Sequence, residues 1–584
     1  MANNDLLADK KIPLHSLFKR TFTYVKEEWP SLVFALFLVI LNVFCGVLTP
    51  RVSGYFTDYL SGDYIELRRI IIIAVGMFVL ALLSQTFMFI ETVILTKAGQ
   101  RIVYKLRMEV FTHIEHMSQN QFNEMPVGSL VTRVCSYTAS LSEFFTNVLV
   151  QIIRNLITVV IVYIWMMILS WKLGLVLFGV VIVVFLISFF FSKYVHKIFS
   201  NERKITSDMN TYLNETLSGM KIVQIFNQEK RFEKIFREKN HKFFITRYSL
   251  NIAFSVYRPL ISLIYILSVA LIIYFGSILG LTGGIIVSFY FYLNYFFEPI
   301  QSLADSLNHI TRAVTGIERL FNLLDIAPEV VDKMEAIEMK EFKGKIEFRN
   351  VWFAYEKENW VLKDISFVIN PRDTVAFVGA TGSGKSTLLG LIVRNFEPQK
   401  GDIYIDDVNI KDIKLDCLRK AIGQMLQDVF LFSGSIKQNI TLFDDRFEEN
   451  EIKEAVNYVN AASFIYDLPQ GLETQVIEKG ENFSTGQRQL LSFARTVLHK
   501  PQIMILDEAT ANIDTETEVV IQDSLEKMKN IGTMLMVAHR LSTIQHSNKI
   551  FVLAKGEIIE SGNHQELLKK RGYYYNLYKL QFEQ

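Results

Sequence analysis

The chain has 584 residues, enough for several domains, and half of them are hydrophobic with 13% aromatic, a rich composition for a wholly water-soluble protein. A formal net charge of +1 gives no global basic field and argues against nucleic acid as a partner. Cys45, Cys135 and Cys417 are far apart and form no CxxC pair, so neither a disulfide framework nor a zinc site is indicated.

The apolar bias is confined to the region before about residue 300. At the start, Leu14, Leu17, Phe18, Phe22, Val25 and Trp29 recur at helical spacing while Lys19, Arg20 and Lys26 fill other positions, which predicts a helix lying on the inner membrane surface. Six apolar runs follow, near Leu32–Pro50, Ile70–Leu95, Val148–Leu169, Leu173–Ser192, Leu260–Gly280 and Gly284–Ile300. Each approaches the roughly 20 residues that a helix needs to satisfy its backbone across a bilayer. The first lies too far inside the chain, and lacks the small-residue cleavage site, to be a removed signal peptide.

Lys and Arg fix the orientation. Lys97, Arg101, Lys105, Arg107 and Arg133 lie between spans two and three, and a longer basic series from Arg203 to Arg247 lies between spans four and five. These connections are therefore cytoplasmic, as are both termini. The turns after spans three and five, "SWKLG" and "GLTGG", are short; the loop after span one is external although it holds Arg68 and Arg69. Val103, Leu106, Val110 and Ile114 keep a helical period beyond the second run, so the membrane helices are expected to continue into the cytosol. Glu91, Arg154, Arg258 and Glu298 stand within or at the ends of spans. A charge facing lipid is costly, so each either pairs within the bundle or snorkels, or lines a cavity. Glu91, Arg154 and Glu298 are the candidates for a substrate cavity, Glu91 foremost.

The second half reads as a soluble α/β domain. In "DTVAFVGATGSGKST" the run Val375–Val378 is a buried strand, Gly379, Thr381, Gly382, Ser383 and Gly384 form a phosphate-binding loop, and Lys385, Ser386 and Thr387 open a helix whose N-terminus favours an anion. Lys385 would reach the β/γ-phosphates of ATP and Ser386 would bind Mg²⁺. A second apolar strand, "QIMILDEAT", delivers Asp507 to the Mg²⁺ shell and Glu508 to the attacking water. A third, "TMLMVAH", places His539 within reach of the γ-phosphate. Lys385, Glu508 and His539 are the candidate catalytic residues. Further on, "FSTGQRQLLSFAR" is a second polar turn opening an amphipathic helix, again the arrangement that binds an anion.

Together these motifs resemble the ATP-binding cassette family, and the chain as a whole resembles a half-transporter of its exporter, multidrug-resistance type. The resemblance implies a six-span α-helical transmembrane domain (type I ABC exporter fold) followed by an α/β P-loop nucleotide-binding domain. The expected layout is residues 1–30 for the cytoplasmic N-terminus and surface helix, 31–325 for the transmembrane domain, 326–344 for a linker and 345–584 for the nucleotide domain. It implies that Tyr355 stacks on adenine, that Gln427 senses Mg²⁺ or the attacking water, and that Asp514 belongs to a loop between two ATP sites. "FNEMPVGSL" and "NETLSGMKIV" look like the cytoplasmic turns that dock into the nucleotide domain. Ser484, Thr485, Gly486 and Gln487 correspond to the signature that binds ATP held by a second subunit.

The family's usual signature is Leu-Ser-Gly-Gly-Gln, so Thr485 is a departure. Its side chain narrows the backbone freedom of glycine and crowds the approach to phosphate. With Lys385, Glu508 and His539 intact, the asymmetry is expected of one half of a heterodimeric exporter whose partner lacks the counterpart of Glu508; the other reading is a tolerated variation in a homodimer. Tyr137 and Asn512 are lesser departures. The function expected is ATP-driven efflux of an amphipathic, drug-like compound across a bacterial plasma membrane, with a lipid or lipid-linked substrate as the alternative. A peptide exporter, an importer of the same fold and an ATP-gated channel rank lower. The short stretch before span one leaves no room for a fused peptidase domain.

Overall fold

A computed structural model of the chain describes residues 12–62, 64–356, 359–507, 515–537 and 544–582. It divides into two compact units, Met1–Glu115 with Val127–Ile326, and His116–Pro126 with Ala327–Gln584.

The first unit is helical. Its opening helix α1 (Leu14–Val25) buries Leu17 and Thr21 while Phe22 stays exposed. It is tied down by charge: Arg20 forms two 2.8 Å bonds to Asp325 and lies over the Phe321 ring, and the Tyr24 hydroxyl donates to Glu109 at 2.8 Å. The long helices α2 (Trp29–Leu60) and α3 (Leu67–Glu115) pack on each other. At 49 residues and 1.5 Å per residue, α3 is about 74 Å long, well over twice the hydrocarbon thickness of a bilayer, so it must continue past the membrane.

The third span departs from a simple helix. Short helices α5 (Val127–Thr132) and α6 (Thr138–Glu143) are joined to α7 (Leu149–Leu169) through π-helical turns at Arg133–Tyr137 and Phe144–Val148. Each inserts an extra residue per turn and re-aims the side chains beyond it. A single extended residue, Ser170, separates α7 from α8 (Trp171–Ser218). The short α9 (Met220–Ile225) turns the chain into α10 (Glu229–Ile278).

The last long helix of this unit, α11 (Gly283–Leu324), is seated on α2. Asp58 accepts from the backbone N–H of Gly284 at 2.6 Å and from the Thr282 hydroxyl at 2.8 Å, supplying the acceptors that a helix start lacks. Gly54 and Gly284 bring the two backbones into direct contact, and a Cβ at either would run into the other's carbonyl oxygen. Among the described residues five helices are long and apolar enough to cross a membrane. Helix α11 is not one of them, because Tyr290, Tyr292, Asn294 and Tyr295 dilute its apolar run.

The second unit is built on two larger sheets, with a two-stranded antiparallel ribbon of β7 (Gly434–Ser435) and β8 (Gln475–Val476) beside them. A four-stranded sheet runs in the order β2 (Trp360–Ile369), β1 (Ile346–Ala354), β4 (Lys400–Ile405), β5 (Val408–Asn409). The six-stranded sheet runs β12 (Glu557–Gly562), β11 (Lys549–Ala554), β3 (Thr374–Val378), β10 (Thr533–Val537), β9 (Ile503–Asp507), β6 (Ile422–Met425), with only β12 antiparallel. A parallel sheet covered on both faces needs continuous apolar strands. Ile503 and Ile505 accordingly join one core while Met504 and Leu506 join another. The helices include α12 (Lys385–Ile392), α13 (Leu415–Ala421), α14 (Ile436–Thr441), α15 (Glu449–Tyr458), α16 (Ala462–Tyr466) and α17 (Thr485–Leu498).

The segment His116–Pro126 belongs to this second unit although it lies in the chain between α3 and α5. Its helix α4 (Gln119–Glu124) starts at Ser118 with a reciprocal capping box to Gln121. The Ser118 hydroxyl donates to Glu329 at 2.8 Å, and Gln121 Nε2 donates to the Ala327 carbonyl at 2.8 Å.

Candidate nucleotide site

In open parallel sheets, ligands gather at the carboxyl ends of the strands. The register puts Phe377, Val537 and Asp507 side by side, and Met425 next to Leu506. The loop after β3, Asp507 at the end of β9, and Gln427 just beyond β6 therefore leave the sheet at one edge.

The loop after β3 has the shape its glycines permit. Gly382 and Gly384 adopt φ values of +81° and +102°, a region closed to most side chains. A Cβ on Gly384 would also stand 2.6 Å from Leu362 Cδ2. Thr381 and Gly382 are exposed while Ser383 is buried, and Ser383 Oγ has no hydrogen-bond partner. Lys385 is buried, and its Nζ donates to the carbonyls of Gly379 and Ala380 at 2.8 and 3.1 Å. An ammonium folded onto its own loop, an orphaned hydroxyl and the open N-terminus of α12 together fit a polyphosphate, which satisfies all three.

Ser386 Oγ lies 3.5 Å from Asp507 Oδ1, a spacing at which both can turn oxygen toward one cation. Hard oxygen donors of this kind suit Mg²⁺. Gln427 is exposed, free to approach from the neighbouring strand. Tyr355 is half-exposed, its ring edge-on to Phe353 and Phe396 and its hydroxyl 3.0 Å from that of Thr387. The aromatic wall therefore adjoins the phosphate loop. Phe396 was not singled out by sequence reasoning, and no local motif marks it. Glu508, His539, Asp514 and Asn512 lie outside the described residues.

The signature segment starts α17. The Ser484 hydroxyl accepts from the Gln487 N–H at 3.2 Å and the Gln487 side chain accepts from the Ser484 N–H at 3.0 Å, a complete capping box. Thr485 is the first helical residue and its hydroxyl accepts from Arg488 at 3.3 Å. A helical φ suits any L-residue, so the position does not demand glycine's backbone freedom, contrary to the expectation from sequence. What remains of that expectation is the side chain itself, standing at the helix mouth beside buried Gly486.

Two of the membrane charges pair within the bundle, one of the outcomes the sequence left open. Glu91 is fully buried and its Oε1 accepts from Arg154 Nη2 at 2.6 Å. The carboxylate is held inside the bundle by an ion pair, and Arg154 keeps part of its side chain exposed. Glu298 is exposed on α11, as is Arg258 on α10.

Near α4 the charges repel. The Glu124 carboxyl is raised above its usual range by burial and by the neighbouring Glu329 and Glu356. Glu329 also lines a cavity of about 250 Å³ together with Asn120, Tyr355 and Phe396, so α4 and these aromatics share one polar space.

Comparison with known proteins agrees with this architecture. Residues 32–300 match the model for the ABC transporter transmembrane region and residues 362–511 that for the ABC transporter domain. The chain is 39% identical to the "Probable multidrug resistance ABC transporter ATP-binding/permease protein YheH" of Bacillus subtilis (strain 168), over 86% of this chain and 75% of that protein. It is 31% identical to an ATP-dependent lipid A-core flippase of Syntrophus aciditrophicus (strain SB), over 97% of this chain and 95% of the other. A bacterial Atm1-family ABC exporter solved with ATP bound superposes with a TM-score of 0.79 at 25% identity, covering 94% of this chain and 98% of that one. The chain belongs to the ABC transporters, as an exporter half-transporter in which transmembrane and ATP-binding domains are fused. It is an ATP hydrolase coupled to transport, a multi-pass protein of the plasma membrane, and such half-transporters act as dimers.

Proposed function

We propose that this chain drives efflux of amphipathic drug-like compounds as the catalytically intact half of a heterodimer. The observation that carries the pairing is Thr485 at the mouth of α17 in a chain whose own phosphate loop is complete. Tyr355 stacks on adenine. The backbone from Gly379 to Gly384 with Lys385 and Thr387 holds the phosphates, while Ser386, Asp507 and Gln427 would hold Mg²⁺, which would supply neutralisation of the β- and γ-phosphate charge. Glu508 accepts the proton of the attacking water and His539 orients the γ-phosphate; Asp514 links the two sites. Ser484, Thr485, Gly486 and Gln487 of this chain face ATP held by the partner. Closure of the cassettes, carried through α4, turns the membrane cavity outward, and hydrolysis resets it.

The substrate class rests on kinship with the multidrug-resistance relative. A lipid substrate is the second reading, favoured by the 31% identity to a lipid A-core flippase over nearly the whole chain. The experiment is to purify the chain alone and with candidate partner half-transporters, and to record subunit mass and MgATP hydrolysis with and without Glu508→Gln. Inverted vesicles then compare uptake of a fluorescent cationic dye with flipping of a labelled lipid. A fully active homodimer refutes the heterodimer reading, and hydrolysis by Glu508→Gln at the original rate refutes the catalytic assignment.

A further inference from the structure

At the starts of α2 and α7, beside Leu95–Ile102 of α3 and beneath α1, lies a cavity of about 400 Å³ whose lining residues are all hydrophobic or glycine, among them Phe22, Trp29, Leu36, Leu95, Phe145 and Ile153. It is a built feature. The π-turn Phe144–Val148 turns two successive aromatic rings, Phe144 and Phe145, onto one wall. Gly99 lets that turn approach α3, where a Cβ would stand 2.5 Å from Thr146 Cγ2. The volume falls in the range of ligand sites, and so apolar a space holds no water. Glu91, Arg154 and Glu298 do not line it.

The charges at its rim are unequal. Glu27 and Glu28 are engaged by Lys105 and Arg101. Lys26, one helical turn from Phe22 and from Trp29, is exposed and has no acidic partner among the described residues. An apolar slot with one uncompensated cation, at the level of a membrane-surface helix, matches a chain of hydrocarbon carrying a negative head.

We propose that this cavity is a resident site for one acyl chain of an anionic phospholipid of the inner leaflet, its phosphate held by Lys26. The lipid fills the space between α1 and the bundle and is not transported. The test uses the purified transporter in phosphatidylcholine nanodiscs doped with phosphatidylglycerol bearing a chain diazirine. After irradiation, labelling of peptides carrying Leu36 and Ile153 is compared with labelling around Phe78, which is exposed on the membrane face of α3. We expect several-fold enrichment at the cavity, a several-fold loss in Leu36→Trp and in Lys26→Glu, and recovery in Lys26→Arg. Should Leu36→Trp fail to fold, the exposed Lys26 pair gives an independent reading. Labelling equal to that at Phe78, or unchanged in Lys26→Glu, overturns the site; equal labelling by the phosphatidylcholine analogue overturns the anionic head. Loss of label during MgATP turnover overturns residence and makes the cavity a substrate entry.

Discussion

The Glu91–Arg154 pair gives the sharpest test of how this bundle is held together. The two side chains are unequally buried, Glu91 at 0% exposure and Arg154 at 23%, joined by one 2.6 Å bond. Glu91 Oε2 and Arg154 Nε have no further partner. Arg154→Met strands an ionised carboxylate with no route to water, a loss of about 3–5 kcal/mol. Glu91→Gln leaves a guanidinium that is only partly buried and forfeits mainly a charged hydrogen bond, about 1.5–3 kcal/mol. The arginine variant should therefore be the less stable by about 2 kcal/mol, roughly a thirtyfold difference in the folded-to-unfolded ratio. The double variant should cost little more than Glu91→Gln alone, since no buried charge remains. Unfolding in mixed micelles with increasing dodecyl sulfate, followed by near-ultraviolet circular dichroism, measures all three. Equal costs for the two single variants would show that burial of the carboxylate is not what makes the pair matter.

Gly384→Ala forces a methyl group against Leu362 at a φ of +102°; strain of about 1–3 kcal/mol should weaken binding of a fluorescent ATP analogue about tenfold or more. Ser484→Ala removes one arm of the α17 capping box and should cost about 1 kcal/mol, read as a lowered denaturant midpoint for the second unit. Thr485→Gly removes the side chain at the helix mouth and should raise MgATP hydrolysis of the assembled dimer; an unchanged rate would mark the threonine as neutral. Glu124 gives a pH dependence. Its folded carboxyl titrates above its ordinary value of 4.5, so it favours folding only while protonated and opposes it as pH rises through the raised value. Glu124→Gln should then raise the melting midpoint at pH 7, with the gain vanishing below pH 4.5.

The features legible in the sequence are those that a short window determines. The run "TVAFV" before a glycine loop permits little except a buried strand feeding a helix, and β3, Gly382, Gly384 and Lys385 stand where that pattern puts them. What the sequence hid depends on partners far along the chain. Nothing near Glu91 announces Arg154, and Asp58 gives no sign that it will cap a helix starting at Gly283. The π-turns of the third span were equally hidden, because an extra residue in a helix preserves local composition and changes only which side chains share a face. Tyrosines cut the other way: they weakened the apolar signal of α11 although Tyr292 is fully buried with its hydroxyl donating to the Val47 carbonyl at 2.8 Å.

The capping box at Ser484 bears on how the signature could meet a phosphate. In a bare helix start four N–H groups are unpaired, and all would be available to an anion. Here the N–H groups of Ser484 and Gln487 are already engaged by each other's side chains, which leaves those of Thr485 and Gly486 pointing outward from the first turn. A trans phosphate must therefore bind through these two, or displace a box whose loss costs about 1 kcal/mol. The residue flanking the open donors is Thr485, with its hydroxyl already tied to Arg488. On the heterodimer reading, a weaker site on the partner follows from crowding at two donors and not from backbone strain, so glycine at 485 should restore it without any change in the fold of α17.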